Sequence, residues 1–213
     1  MVRKGVLVVG LSVLLVASVL AYESSQRPRS IDYASKSMVV HSPVNNGLEL
    51  TATIQQIYLK EGQNLSVIAE VNNTLSTPLT LNATIIENPA SGPCAQGSAT
   101  GIRVYMGHYS AGNLTQAQEL WLYNPSLVYY CPAAWTLRYT FAPNSDMATV
   151  QQSLGGFQGH NETGLVNETS TVGGYWVGSG QNYVFHTFPV RQYTVLVFDA
   201  WGDEALAYFE VVS

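Results

Sequence analysis

Four histidines, two cysteines and one short acidic group are the residues of this 213-residue chain best suited to chemistry. His41, His108, His160 and His186 are scattered, with no ligand spacing among them or toward either cysteine. No Cys-x₂₋₄-His-x₂₋₅-Met run follows Cys131, which disfavours a copper site of the cupredoxin kind. Asp199, Asp203 and Glu204 gather at one turn, but they lack the regular series of oxygen ligands a Ca²⁺ loop uses, so they read as turn formers. The chain holds no G-x-S-x-G elbow, no H-E-x-x-H, no P-loop and no G-x-G-x-x-G. The sequence therefore predicts no enzyme: no catalytic residue, no cofactor-binding residue and no metal ligand.

Cys94 and Cys131 are the only cysteines, and in an exported chain they predict one disulfide. In the chain-entropy view that bond stabilises by roughly 4 kcal/mol. Asn64, Asn72, Asn82, Asn113, Asn161 and Asn167 each open an Asn-x-Ser/Thr sequon, whereas Asn124 is blocked by Pro125. Asn72 and Asn82 fall on the polar parity of their predicted strands, so a sugar there points to solvent. Tyr105, Tyr109, Trp121, Tyr123, Tyr129, Tyr130, Trp135 and Tyr139 crowd residues 105–139. Such residues pack β-sandwich cores or subunit interfaces, and exposed ones can also stack on sugar rings. Tyr109, Trp121 and Trp201 stand as the candidate contact residues. Trp201 sits in a turn, either exposed or folded back onto Trp176.

These side chains need a scaffold, and most of the pattern is of strands. Tyr193 to Phe198 and Ala205 to Val212 are apolar runs joined by Asp199-Ala-Trp-Gly-Asp203, which reads as a hairpin. Leu48 to Ile54, Leu65 to Asn72 and Leu79 to Ile85 alternate apolar and polar, the start of an antiparallel meander or Greek key. Ile102 to Met106, Leu120 to Tyr123, Trp135 to Phe141 and Tyr183 to Phe188 are further strands, and Gln116 to Glu119 suits one helical turn. Asn144 to Gln181, rich in Gly, Ser, Thr and Asn, reads as a long loop. The fold expected is all-β: an immunoglobulin-like antiparallel β-sandwich of about 7–9 strands over residues 47–213, preceded by one N-terminal hydrophobic helix.

Ahead of the domain, Arg3 and Lys4 precede an apolar run from Gly5 to Ala21. Residues 1–21 read as a signal peptide cut before Tyr22 or as a retained membrane anchor. Lys4-Gly5 also resembles an archaeal type IV prepilin site, which would leave the helix in a filament. Residues 22–46 read as a polar stalk, within which Met38-Val39-Val40 suits a sheet edge. Charged residues are only 11% of the chain and the net charge is −5. No basic patch is present, which excludes nucleic acid as a partner class.

The leader, Glu70 to Pro78, Ser91 to Cys94, Tyr129 to Pro132 and the Tyr193-to-Phe209 hairpin resemble uncharacterised archaeal cell-envelope proteins with an immunoglobulin-like ectodomain. More weakly, the chain resembles archaeal pilin-like filament subunits. The resemblance implies an extracellular or surface location and no catalysis. The function expected is adhesion or envelope structure by a glycosylated surface protein. The partners expected are other envelope proteins, copies of itself, glycans, and the membrane through an uncleaved helix. A filament subunit, built on the helix or on strand donation by Ile31–Val40, and a carbohydrate- or peptide-binding module are the alternatives.

Overall fold

The computed structural model describes residues 36–83, 90, 98–127, 129, 136–154 and 157–213. The leader and N-terminal helix expected at 1–21, the proposed cleavage sites, Cys94, Cys131, Tyr130 and Trp135 lie outside these residues. Within them no helix is long and apolar enough to cross a membrane.

The described chain is all-β. In order, the strands are β1 (Met38–His41), β2 (Leu48–Ile54), β3 (Tyr58–Lys60), β4 (Leu65–Asn73), β5 (Leu79–Ala83), β6 (Thr100–Met106) and β7 (Thr136–Phe141). There follow β8 (Met147–Leu154), β9 (Phe157–Leu165), β10 (Asn167–Val172), β11 (Gly174–Ser179), β12 (Asn182–Thr187), β13 (Gln192–Asp199) and β14 (Glu204–Val212). One 3-10 turn, Leu114–Gln116, is the only helical element among the described residues.

Two four-stranded sheets carry the main core, in the orders β1-β2-β4-β10 and β3-β14-β13-β6. All neighbours run antiparallel except β3, which lies parallel to β14. The apolar parity of β2 and β4 supplies Leu48, Leu50, Ile54, Leu65, Val67 and Val71 to one inner face. Leu59, Val104, Tyr193, Val195, Phe209 and Val211 come from the other sheet. β14 lies against β1 and β2, and β6 against β4 and β10, so the sheets face each other. Each fully buried Leu, Ile, Val or Phe contributes about 1.5–3 kcal/mol of transfer free energy.

A third sheet has the order β5-β7-β8-β9. Leu137, Tyr139 and Phe141 point to its buried face. Its opposite face is polar, with Thr80, Thr140, Thr149 and Thr163 in one row across all four strands. The end pairs of that row are joined by hydroxyl contacts of 3.1 and 2.9 Å.

Several expectations need correction. The described residues hold fourteen strands, not 7–9. Most of the excess falls in 144–181, which is not a loop but β8, β9, β10 and β11. Those strands are built of Thr, Ser, Gln and Asn with one face in solvent, so ladder hydrogen bonds form without apolar alternation. β5 does not extend a meander with β2 and β4; it pairs with β7 in the third sheet. Leu120–Tyr123 is no strand, but a segment held by single bridges on either side. Paired structure begins at Met38, inside the stretch read as stalk, because Asn46 (φ 50°) and Gly47 (φ 86°) turn β1 tightly into β2. Met38–Val40, part of the segment read as a donor strand, pair within the chain with β2.

Candidate functional site

The main sheet continues past β6. Glu119 bridges Tyr105 of β6, and the Leu120 amide donates to the Val104 carbonyl at 2.8 Å. Trp121 then bridges Trp176 of β11, whose amide donates to the Trp121 carbonyl at 2.8 Å. Segment 119–121 thus splices the β11–β12 hairpin onto β6. Gly180 (φ 61°) opens the two-residue loop of that hairpin. Gly174 and Gly178 let the strands approach closely, since a Cβ at either would overlap the His186 or Asn182 carbonyl. At its foot, Tyr175 and Phe188 are buried, and Phe188 meets Tyr193 and Phe209 edge-on at 5.2 and 5.4 Å. The hairpin therefore stands on the core.

Its upper part is apolar on both faces, with Trp176 and Phe185 on one and Val177 and Val184 on the other. Trp121, Trp176 and Phe185 lie side by side on three adjacent backbone segments, because Trp121 faces Trp176 and Trp176 faces Phe185 in register. Trp176 and Phe185 meet edge-to-face at 5.5 Å. Trp121 touches Tyr123, and Tyr123 touches Tyr129, at 5.9 and 5.7 Å. Trp121 is 50% exposed, Val177 49%, Val184 61% and Phe185 45%. No Asp, Glu, Lys or Arg occurs between Glu168 and Arg191.

Comparison with known protein families, curated proteins and solved structures finds no match. The site is therefore read from its own geometry.

Five of the six sequon asparagines fall elsewhere; Asn64 lies at the foot of the hairpin, where its Oδ1 and the Phe185 ring both border Gly173. Asn64, Asn82, Asn113, Asn161 and Asn167 are exposed, and Asn72 is half-buried with its amide on Glu70 at 2.8 Å. Asn82 and Asn161 share one cross-strand row with Arg138 and Gln151 on the polar face of the third sheet. Asn113 accepts from the amide and hydroxyl of Ser110 through its own side chain. None lies on the β11–β12 hairpin.

Of the three contact candidates, Trp121 belongs to the exposed surface. Tyr109 does not join it. Its amide donates to Thr194 Oγ1 at 2.9 Å, and its carbonyl accepts the Tyr208 hydroxyl at 3.0 Å. Trp201 neither stands free nor meets Trp176. Its ring packs edge-on against Tyr139 and Phe141 at 5.2 and 5.4 Å. Trp176, Phe185 and Val184 are the surface residues that sequence reasoning passed over. The Gly-Gln loop between Ser179 and Asn182 is the signal that marks their hairpin.

Two other places gather polar groups. A cavity of about 350 Å³ lies beside the β9–β10 corner, lined by Ser98, Thr100, Tyr139, Glu162 and Glu168 among others. Ser98 and Thr100 hydroxyls donate to Glu168, and burial with the nearby Glu168 charge pushes the Tyr139 phenol up to about 12. No His is among the described residues that line it. At the β13–β14 turn, Asp199 Oδ1 accepts from the Trp201 and Asp203 amides at 2.8 and 2.9 Å. The Oδ2 atoms of both aspartates are buried without a hydrogen-bond partner. Burial pushes the Asp199 carboxyl up to about 6, with the Asp203 charge adding to it, and burial raises Asp203 as well. Glu204 points to solvent, and no group of three metal-ligating side chains occurs among the described residues.

Proposed function

We propose that this chain is a non-enzymatic extracellular surface protein that works by contact, in adhesion or envelope structure, with its sequons glycosylated. The observation that carries this reading is a division of the surface. Five of the six sequon asparagines are exposed and Asn72 is half-buried, while the β11–β12 hairpin with Trp121 carries no sequon or charge of its own and exposes Val177, Val184 and Phe185. An apolar surface kept clear in this way suits a protein contact.

An immunoglobulin-like architecture is supported by the strand order. β2, β4 and β10 on one sheet face β6, β13 and β14 on the other, as A, B, E and C, F, G do in that fold. The Tyr193 hydroxyl at the start of β13 donates to the Pro189 carbonyl at 2.9 Å, as in a tyrosine corner. A filament subunit is the second reading, favoured by the open edge of β12.

The test is protease treatment of intact cells carrying the native protein, followed by N-terminal sequencing and peptide mass analysis. The expected result is cleavage from outside, with added mass confined to peptides bearing the six asparagines. A chain protected in intact cells and cleaved only after lysis overturns the reading. A chain beginning at Val6 moves the filament reading ahead.

A further inference from the structure

The edges of the sheets are treated unequally. β5, β9 and β10 are edge strands, and each carries a sequon: Asn82, Asn161 and Asn167. β3 is three residues long and ends on Lys60. β1 is four residues long and ends on His41, whose ring lies 3.6 Å from Glu49. β6 carries Arg103, paired with Glu119 at 3.7 Å, and its edge is taken by segment 119–121. The same segment takes the edge of β11. These are the devices by which proteins blunt open strands: short length, charge, cover and bulky modification.

β12 has none of them. It is six residues long, Asn-Tyr-Val-Phe-His-Thr, with no charge, proline or sequon. Its only ladder partner among the described residues is β11. Val184 and Phe185, its two central residues, are 61% and 45% exposed.

We infer that β12 pairs antiparallel with β12 of a second copy of this chain, about a two-fold axis at Val184. Three observations choose this occupant. An antiparallel strand placed on its own image satisfies the free N–H and C=O groups of both edges at once. Val184 falls at the middle of the strand and meets its own image across the axis, while Phe185, on the other face, meets Tyr183 of the second copy. Each copy has a net charge of −5, and like-charged copies approach best through the stretch from Thr169 to Val190, which holds no charge. The contact joins the two main sheets into one continuous sheet across the dimer. Being two-fold and closed, it makes a pair and not a fibre.

The test uses the full chain in detergent, by sedimentation equilibrium, so its outcome is separate from the localisation experiment above. Wild type is expected at twice its monomer mass, 23.1 kDa for the whole chain. Val184→Lys sets two ammonium groups across the axis and is expected to raise the dissociation constant by roughly a hundredfold, with unchanged far-UV circular dichroism. As a second measurement, Val184→Cys is expected to give a reducible covalent dimer under mild oxidation, and Val39→Cys on the β1 edge is not. A monomeric wild type, a dimer indifferent to Val184→Lys, or cross-linking through Val39→Cys alone overturns the proposal.

Discussion

The Trp201 indole donates its Nε1–H to the Asn82 carbonyl at 3.0 Å. This bond ties the β13–β14 turn to an edge strand of the third sheet, across 119 residues of chain. The ring also fills the space over Tyr139 and Phe141. Trp201→Phe keeps most of the packing and loses the hydrogen bond, for an expected cost of about 1 kcal/mol. Trp201→Ala loses both, and for a half-buried ring about 2–3 kcal/mol is expected. Urea unfolding followed by circular dichroism measures both. Equal costs for the two variants would mean that the ring packing contributes nothing.

The Asp199–Asp203 pair makes stability depend on pH. Its neighbours are Asn45, which approaches Asp203, and the backbone amides of the turn; no cation is among the causes of either shift. Burial raises the Asp199 carboxyl from 3.8 to about 6, so the folded chain holds its proton more tightly than the unfolded chain. The resulting stabilisation is fully present below pH 3.8 and is lost as pH rises through about 6. Asp199→Asn keeps an acceptor for the turn amides and supplies a donor for the Asp203 oxygen. It is expected to stabilise the protein by about 1–3 kcal/mol at pH 8 and by little at pH 4. Unfolding midpoints at the two pH values check it; an equal change at both would refute the assignment.

The strands legible in the sequence were those with one buried face. β2, β4, β7 and the β13–β14 hairpin announce themselves by alternation or by β-branched runs. β8 to β10 do not, because residues such as Thr149, Gln151, Thr163 and Thr169 serve a solvent face and leave no apolar period. The Asn46-Gly47 turn is a strong hairpin signal that Pro43 and the polar composition around it obscured. The contact surface was half legible. Trp121 is conspicuous by type, but its alignment with Trp176 and Phe185 depends on a bridge between residues 55 positions apart, which no local pattern encodes.

Gly47 is fixed by both backbone and space. Its φ of 86° suits glycine, and an added Cβ would lie 2.7 Å from Leu75 Cδ1. Its carbonyl also accepts the Thr74 amide at 2.8 Å, which ties the turn to the end of β4. Gly47→Ala is expected to cost about 1–3 kcal/mol, with hydrogen exchange of β1 amides accelerated more than that of β13. Uniform acceleration across both strands would mean that β1 does not open separately.

Asn73 is where the main sheet is clamped to the third one. Its side chain is buried, and its Nδ2 donates to the Thr77 and Ala142 carbonyls, both at 2.9 Å. Its Oδ1 accepts the Leu75 amide at 3.0 Å, and its backbone exchanges hydrogen bonds with Ser145. Three backbone groups, in part-buried hydrogen bonds, therefore depend on one amide. Asn73→Ala strands all three and is expected to cost about 3 kcal/mol or more. Asn73→Asp keeps the Leu75 contact but turns an oxygen toward two carbonyls, and is expected to be at least as damaging at neutral pH. Asn73 is the middle residue of the Asn72-Asn73-Thr74 sequon, so both variants keep its Asn and Thr. Thermal unfolding of the two variants beside wild type decides it: a loss below about 1 kcal/mol in both would show that water replaces the amide at no cost.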